Sequence, residues 1–354
     1  MNRAVASTAI ALLVSLAIGS ALMLAIGCAP GHAWLAMIAR VGGDPSQLGQ
    51  VLYRATALTL TGLSVSIAQD AGLFNIGGEA QLTLGVLACA VVGAALPAGT
   101  PAIVAVPLCA LAAASAGGAV GALIGVLRVA RGAHEVITSI MLNAIAAGIA
   151  LWVGDAFLFR NGTTTGPPIA PGAELPLLGL GGSAANASLL LAALAVAGAW
   201  WVRARTTWGE ALRAVGRDPA AARSVGISVG RVHVVAMTVA GALAGLAATN
   251  FVQGHRHAFE EGLGRGFGFL GISAALLGRL NPAGIAGAAL VLAFLSVGGL
   301  AVGDLVPKEL TEMLQGVVVL AVAGVRLLER PRPERDAPPD DRASVETGEK
   351  AAPL

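Results

Sequence analysis

Ten apolar stretches follow one another along this 354-residue chain, at positions 9–27, 51–68, 79–96, 101–127, 136–159, 189–202, 233–251, 267–277, 285–302 and 310–327. A helix rises 1.5 Å per residue, so about 20 apolar residues cross the hydrocarbon core of a bilayer, and most of these stretches approach that length. Only 12% of the residues are charged and the mean hydropathy is +0.79; a soluble domain carries roughly a quarter charged residues. The pattern predicts an all-α, polytopic transmembrane bundle of about ten helices.

An even number of crossings places both termini on one side. With the N-terminus cytoplasmic, sixteen of the 22 lysines and arginines fall on inside segments, with clusters at 203–231 and 326–350. The positive-inside rule supports that orientation, with both termini in the cytoplasm. The first stretch, preceded by Arg3 and followed by Cys28, is read as an uncleaved helix rather than a signal peptide, because many spans follow it. A net charge of +2 leaves no reason to expect a nucleic-acid partner. Cys28, Cys89 and Cys109 show no CxxC spacing and are assigned no redox or metal role. Gly117, Gly121 and Gly125, and likewise Gly241 and Gly245, recur every fourth residue, a spacing that lets helices approach closely in lipid. The membrane domain is expected over 1–328 and a proline- and charge-rich disordered cytoplasmic tail over 329–354.

Polar residues inside apolar segments are expensive unless paired or facing a wet cavity, and so mark candidate function. Residues 69–85, QDAGLFNIGGEAQLTLG, are the densest such stretch. Gly77 and Gly78 disfavour a regular helix, Asn75 is placed to cap a helix starting just after it, and Glu79 falls in that helix's first turn. A broken or re-entrant helix is predicted near 69–85, the geometry transporters use at their binding sites. Asn75, Glu79 and Gln81 either contact a substrate or satisfy backbone and neighbouring helices. In a second stretch, RGAHEVITSIMLNAIA, Glu135 opens a helix and Ser139 and Asn143 follow on the same face. They form a polar seam of the pathway, or a charged helix start with a buried Asn bonded to a neighbour. The third stretch, 203–232, holds two short amphipathic helices around a GRDP break, and ends its second helix near Gly226. It is a solvated basic loop or a docking element, with Ala211, Leu212, Val215 and Ala222 as apolar contacts for a soluble partner.

These stretches carry a resemblance over most of residues 51–327. FNIGGEAQ, GAHEVITSIMLNAI, WGEALRAVGRDPAAARSVGI and ALLGRLNPAGIAGAAL resemble signatures of permease subunits of bacterial ATP-binding-cassette importers for simple sugars, nucleosides and branched-chain amino acids, most closely the nucleoside-type branch. The resemblance implies a second permease subunit, homo- or heterodimeric, a cytoplasmic ATPase, and an extracytoplasmic solute-binding lipoprotein, all at the bacterial inner membrane. It implies that Glu210, Arg213, Gly216, Arg217, Asp218, Ala222, Arg223 and Gly226 belong to the loop that couples to the ATPase. Ala80, His134, Ala144 and Arg279 depart from the usual Gly, Asn, aromatic and Gly.

No GxxxxGK[ST] motif occurs, so this chain has no phosphate-cradling loop; it is expected to bind no cofactor and to leave ATP hydrolysis to its partner. GLGRGFG at 262–268 lacks the strand and spacing of a dinucleotide site, and His255, His257, Glu260 and Glu261 read as a polar external loop rather than a metal site. The expectation is therefore a transport subunit and not an enzyme, moving a nucleoside or similar small polar solute. The alternatives are a simple sugar or branched-chain amino acid in the same mechanism, or a proton-coupled secondary transporter using Glu79 or Asp70.

Overall fold

The computed structural model describes residues 3–159 and 162–307, with positions 310, 313, 315–317 and 320. The expected tail and most of the tenth apolar stretch lie outside the described residues.

Helix α1 (Arg3–Ala25) and helix α2 (Pro30–Gly43) meet at a sharp bend of 116°. Gly27, in the left-handed region at φ 81°, and Pro30 at the first helical position make that corner. The hydropathy pattern did not single out α2, because His32 and Arg40 dilute it; its buried residues are Ala33, Met37 and Val41, one face at four-residue spacing. Helix α3 (Pro45–Asp70) is capped by Asp44, whose side chain accepts from the Ser46 N–H at 2.8 Å. Residues 71–77 are not helical, and α4 (Gly78–Ala95) starts only after them. Next come α5 (Ala102–Arg131), ended by left-handed Gly132 with Arg128 and Arg131 in its last turn, and α6 (Glu135–Val153), which runs into a π-turn over Gly154–Leu158.

A short ribbon follows, β1 (Thr165–Pro168) antiparallel to β2 (Ala258–Glu260). Between them lie α7 (Ser188–Arg205), α8 (Thr207–Arg217), α9 (Pro219–Ser224), α10 (Val229–Leu246) and α11 (Ala248–Phe251), the last continuing into a π-turn over Val252–Arg256. The described chain closes with α12 (Phe267–Leu277) and α13 (Pro282–Ala301).

Among the described residues seven helical segments are long and apolar enough to cross a membrane, or eight if α1 and α2 are counted as one bent span. This is an all-α membrane bundle, as the sequence predicts. The window at 267–277 is not a crossing by this measure: α12 has 11 residues, about 17 Å of helix against a core of about 30 Å.

Packing explains which spans sit centrally. In α3, 83% of the apolar window is buried, against 17% for α6 and α7. The contacts are reciprocal: α3 packs on α12 and α13, α10 packs on α4 and α5, and α3 and α10 pack on each other. The four-residue glycine repeats meet here. Gly117 and Gly121 of α5 press against the backbone of α10 at Met237, Gly241 and Gly245, with no room for a methyl group. Such close approach substitutes for the hydrophobic drive that lipid does not provide.

Candidate functional site

The site is built where two helices begin. Helix α4 starts at Gly78 and α12 at Phe267, and the two starts touch backbone to backbone: a Cβ on Gly78 would lie 3.3 Å from the Gly268 carbonyl oxygen, and one on Gly268 would strike the peptide of Gly78 and Glu79. Each start exposes N–H groups without intrahelical partners and a partial positive charge. Glu79 answers the second of them. One carboxylate oxygen accepts from the Gly266 N–H at 2.6 Å and the other from the Gly268 N–H at 3.1 Å. The sequence places Glu79 in the first turn of its own helix, and it is there, yet its carboxylate serves the start of α12.

The backbone before α4 is held by side-chain amides. Asn75 Nδ2 donates to Ser64 Oγ at 2.7 Å and to Gln81 Oε1 at 2.9 Å, while Asn75 Oδ1 accepts from Gln81 Nε2 at 3.0 Å and from the Gly77 N–H at 3.1 Å. Asn75, Gln81 and Ser64 are all fully buried. Asn75 therefore shapes the turn, and Gly77 is the N-terminal cap residue. A second cap comes from another helix: Asn143 Oδ1 of α6 accepts from the Ala80 N–H at 2.9 Å, and its Nδ2 donates to the Ile76 carbonyl at 3.1 Å. This polar break is stable because its buried groups are paired.

Beside the two helix starts lies a cavity of about 420 Å³, within the usual range for small-molecule sites. Glu79 and Thr83 line it from α4, Asn143, Ala147 and Leu151 from α6, and Phe259, Arg265 and Phe269 from the second break and α12. A second cavity of about 400 Å³ contains Gln50, Tyr53, Arg54 and His255, and Glu260, Glu261, Gly262 and Leu263 border both. The charges of this dividing segment are paired locally, Glu260 with Arg256 and Glu261 with Arg265, the latter at 3.9 Å. Those contacts place Glu260 and Glu261 in arginine pairs.

Of the six pathway candidates, the structure puts Glu79 and Asn143 on the cavity and Asn75 and Gln81 directly behind it. Glu135 is buried at the start of α6, 3.5 Å from Arg128, and Ser139 is buried one turn on; neither lines the cavity. The α6 face expected as a seam thus contributes only its third member. Thr83, Arg265 and the Gly266–Gly268 amides were not anticipated. The glycine run at 262–268 was their available signal: Gly262, Gly264 and Gly266 all adopt positive φ, and together they form the second break.

The internal loop folds as two helices separated where expected. Asp218 Oδ1 accepts from the Ala220 and Ala221 N–H groups at 2.8 and 3.0 Å, and Pro219 begins α9. The apolar side, however, turns inward. Leu212, Val215 and Ala222 are buried against Ala71, Val229, Val232 and Ala236 of the same chain, with Ala211 packed at the edge, so they are not free for a soluble partner. Burying an amphipathic helix's apolar side on its own bundle is the favourable outcome where that bundle offers apolar surface. Glu210, Gly216, Arg217, Asp218, Arg223 and Gly226 remain exposed, while Arg213 turns back to donate to the Arg203 carbonyl. In the 275–290 segment, Arg279 stands at φ 56°, which is why glycine suits that position.

The sequence model of the family described as "Branched-chain amino acid transport system / permease component" matches residues 47–323. The guanosine ABC transporter permease protein of Bacillus subtilis is 34% identical, over 89% of this chain and 91% of its own length. The nucleoside ABC transporter permease protein of Lactococcus lactis subsp. cremoris is 30% identical, over 97% of each chain. The glucose ABC transporter permease protein of Haloferax volcanii is 34% identical, over 87% of this chain and 84% of its own.

Proposed function

The chain belongs to the permease-component family of branched-chain amino acid transport systems, and from that premise we propose that it forms the transmembrane pathway for a nucleoside or similar small polar solute in an ATP-binding-cassette importer. The observation that carries this reading is the cavity at the paired starts of α4 and α12, where Glu79 and Asn143 present polar groups inside an apolar wall. A carboxylate has about four lone-pair sites. The Gly266 and Gly268 amides occupy part of that capacity, leaving Glu79 able to accept from a ligand hydroxyl. The guanosine and nucleoside permeases among the relatives support nucleosides as the substrate class.

Transport then needs partners. A cytoplasmic ATPase supplies the energy and docks on the exposed side of α8 and α9, a second permease subunit completes the pathway, and an extracytoplasmic receptor delivers the ligand. The protein sits in the bacterial inner membrane with both termini inside. A sugar is the second reading, favoured by the similarity to the glucose permease. Reconstituting the chain with its ATPase, permease partner and receptor tests both. Uptake of labelled guanosine or adenosine that requires ATP, and that excess glucose or leucine does not reduce, is the expected result. Preferential glucose uptake would establish the second reading, and uptake driven by a proton gradient without ATP would overturn both.

A further inference from the structure

One side chain joins the internal loop to the end of α3 and to the turn after α12. Arg203, near the end of α7, lies with its Nη2 2.8 Å from Asp70 Oδ1, at the last residue of α3. Its Nη1 reaches Ser66 Oγ at 3.3 Å and also donates to the carbonyl of Leu280, in the turn between α12 and α13. Ser66 Oγ donates to the same carbonyl at 2.7 Å. The backbone carbonyl of Arg203 in turn accepts from Arg213 of α8. A second contact lies alongside: Gly216, at the end of α8, rests on the backbone of Asp70 and Gly72, and a side chain on either glycine would collide or crowd there.

Every element converging on Arg203 leads somewhere. Asp70 is followed directly by the non-helical residues 71–77 and then by α4, while Leu280 follows α12 by three residues. Helices α4 and α12 are the two whose starts meet at Glu79. Side chains so connected move together, because a partly buried ion pair that also satisfies a carbonyl cannot separate without leaving several polar groups unpaired. The pair is well shielded, Asp70 being 9% and Arg203 22% exposed.

We infer that Arg203 and Asp70 are positioning residues of the transport cycle: the joint through which displacement of α8 by the ATPase reaches the ends of α3 and α12, and so the two helix starts at the cavity. The inference rests on the functional reading above. A shift of α8 pulls Arg213 and the Arg203 backbone, and the guanidinium carries that shift to Asp70 and Leu280 at once.

The test uses the complete reconstituted transporter and reads uptake per ATP hydrolysed. Arg203→Gln and Asp70→Asn each lower that ratio about tenfold, the scale of coupling changes along a connecting network, while receptor-stimulated hydrolysis continues. The charge-exchanged double variant, Arg203→Asp with Asp70→Arg, restores part of the ratio. Arg40→Gln breaks a comparably well-formed pair with Asp304, at the far end of α13, and leaves the ratio unchanged. If the neutral variants do not assemble, Arg203→Lys decides. It keeps the charge opposite Asp70 but cannot fork between Asp70 and Leu280, so it too lowers the ratio. A wild-type ratio in the assembled neutral variants, or in Arg203→Lys, overturns the joint. Absence of ATP-dependent uptake by the wild-type assembly instead overturns the functional reading on which the joint rests.

Discussion

The breaks before α4 and before α12 do the same topological task with opposite chemistry. Residues 71–77 are held by a buried ring of amides, Asn75, Gln81 and Ser64, with Asn143 bridging from α6. Residues 257–266 rely on glycines at positive φ and on a local ribbon with β1, and at the cavity their end is secured by one carboxylate, Glu79. A break closed by side-chain amides that satisfy one another is rigid, since opening it strands several buried groups at once. The second break is held by backbone bonds, the ribbon and its own arginine pairs, so the Glu79 carboxylate is one restraint among several. The first side of the cavity is thus closed by side-chain amides and the second by backbone bonds and a carboxylate, and the second also divides the cavity from its neighbour.

This contrast is best attacked at its centre. Replacing Asn75 with Leu removes a partner from Ser64, Gln81 and the Gly77 N–H together. The expected cost is about 3 kcal/mol or more, because each stranded group adds a desolvation penalty. It appears as a clear drop in melting temperature and yield of the detergent-purified transporter; an unchanged melting curve would show that the amide ring does not hold the first break. Glu79→Gln should behave differently. The neutral amide keeps the shape but has a single accepting oxygen, so one of the Gly266 and Gly268 N–H groups loses its acceptor; uptake falls about tenfold, corresponding to about 1.4 kcal/mol, with a smaller change in melting than in Asn75→Leu. Normal uptake in that variant would mean that this restraint needs no charge.

Effects of similar size should come from the glycines of the second break. At Gly266, φ is 88° and a methyl group would meet nothing within 4 Å. Gly266→Ala therefore costs only backbone strain, about 1–2 kcal/mol. At Gly264 a methyl also meets Phe251 at 3.1 Å and Leu82 at 3.2 Å. Gly264→Ala should accordingly be the more damaging of the two by thermal unfolding, and the reverse order would remove the distinction between open and packed positions.

Much of this is legible in the sequence, in a particular sense. The glycine pair at 77–78 and the amides around it announce a helix break, Asp218 and Pro219 announce the junction of α8 and α9, and the glycine repeats announce close packing of α5 and α10. Three features resist. Helix α2 is diluted by His32 and Arg40. The apolar side of α8 is visible as a stripe, but a stripe does not say whether its cover is a partner or the same chain; the cover is Ala71, Val229, Val232 and Ala236. The glycines of 262–268 form no nucleotide motif, and their message is instead a backbone at positive φ.

What the sequence determined by itself is local: where apolar segments run, where they break, and which residue caps a start, because those outcomes depend on neighbours within a turn or two. Only the tertiary structure decided what Glu79 holds. Its partners lie 187 and 189 residues away and are backbone N–H groups. Nearly every residue possesses such a donor, so the choice leaves no mark in residue type. It follows from two helix starts being packed against one another, and from the acidic side chain within reach of both.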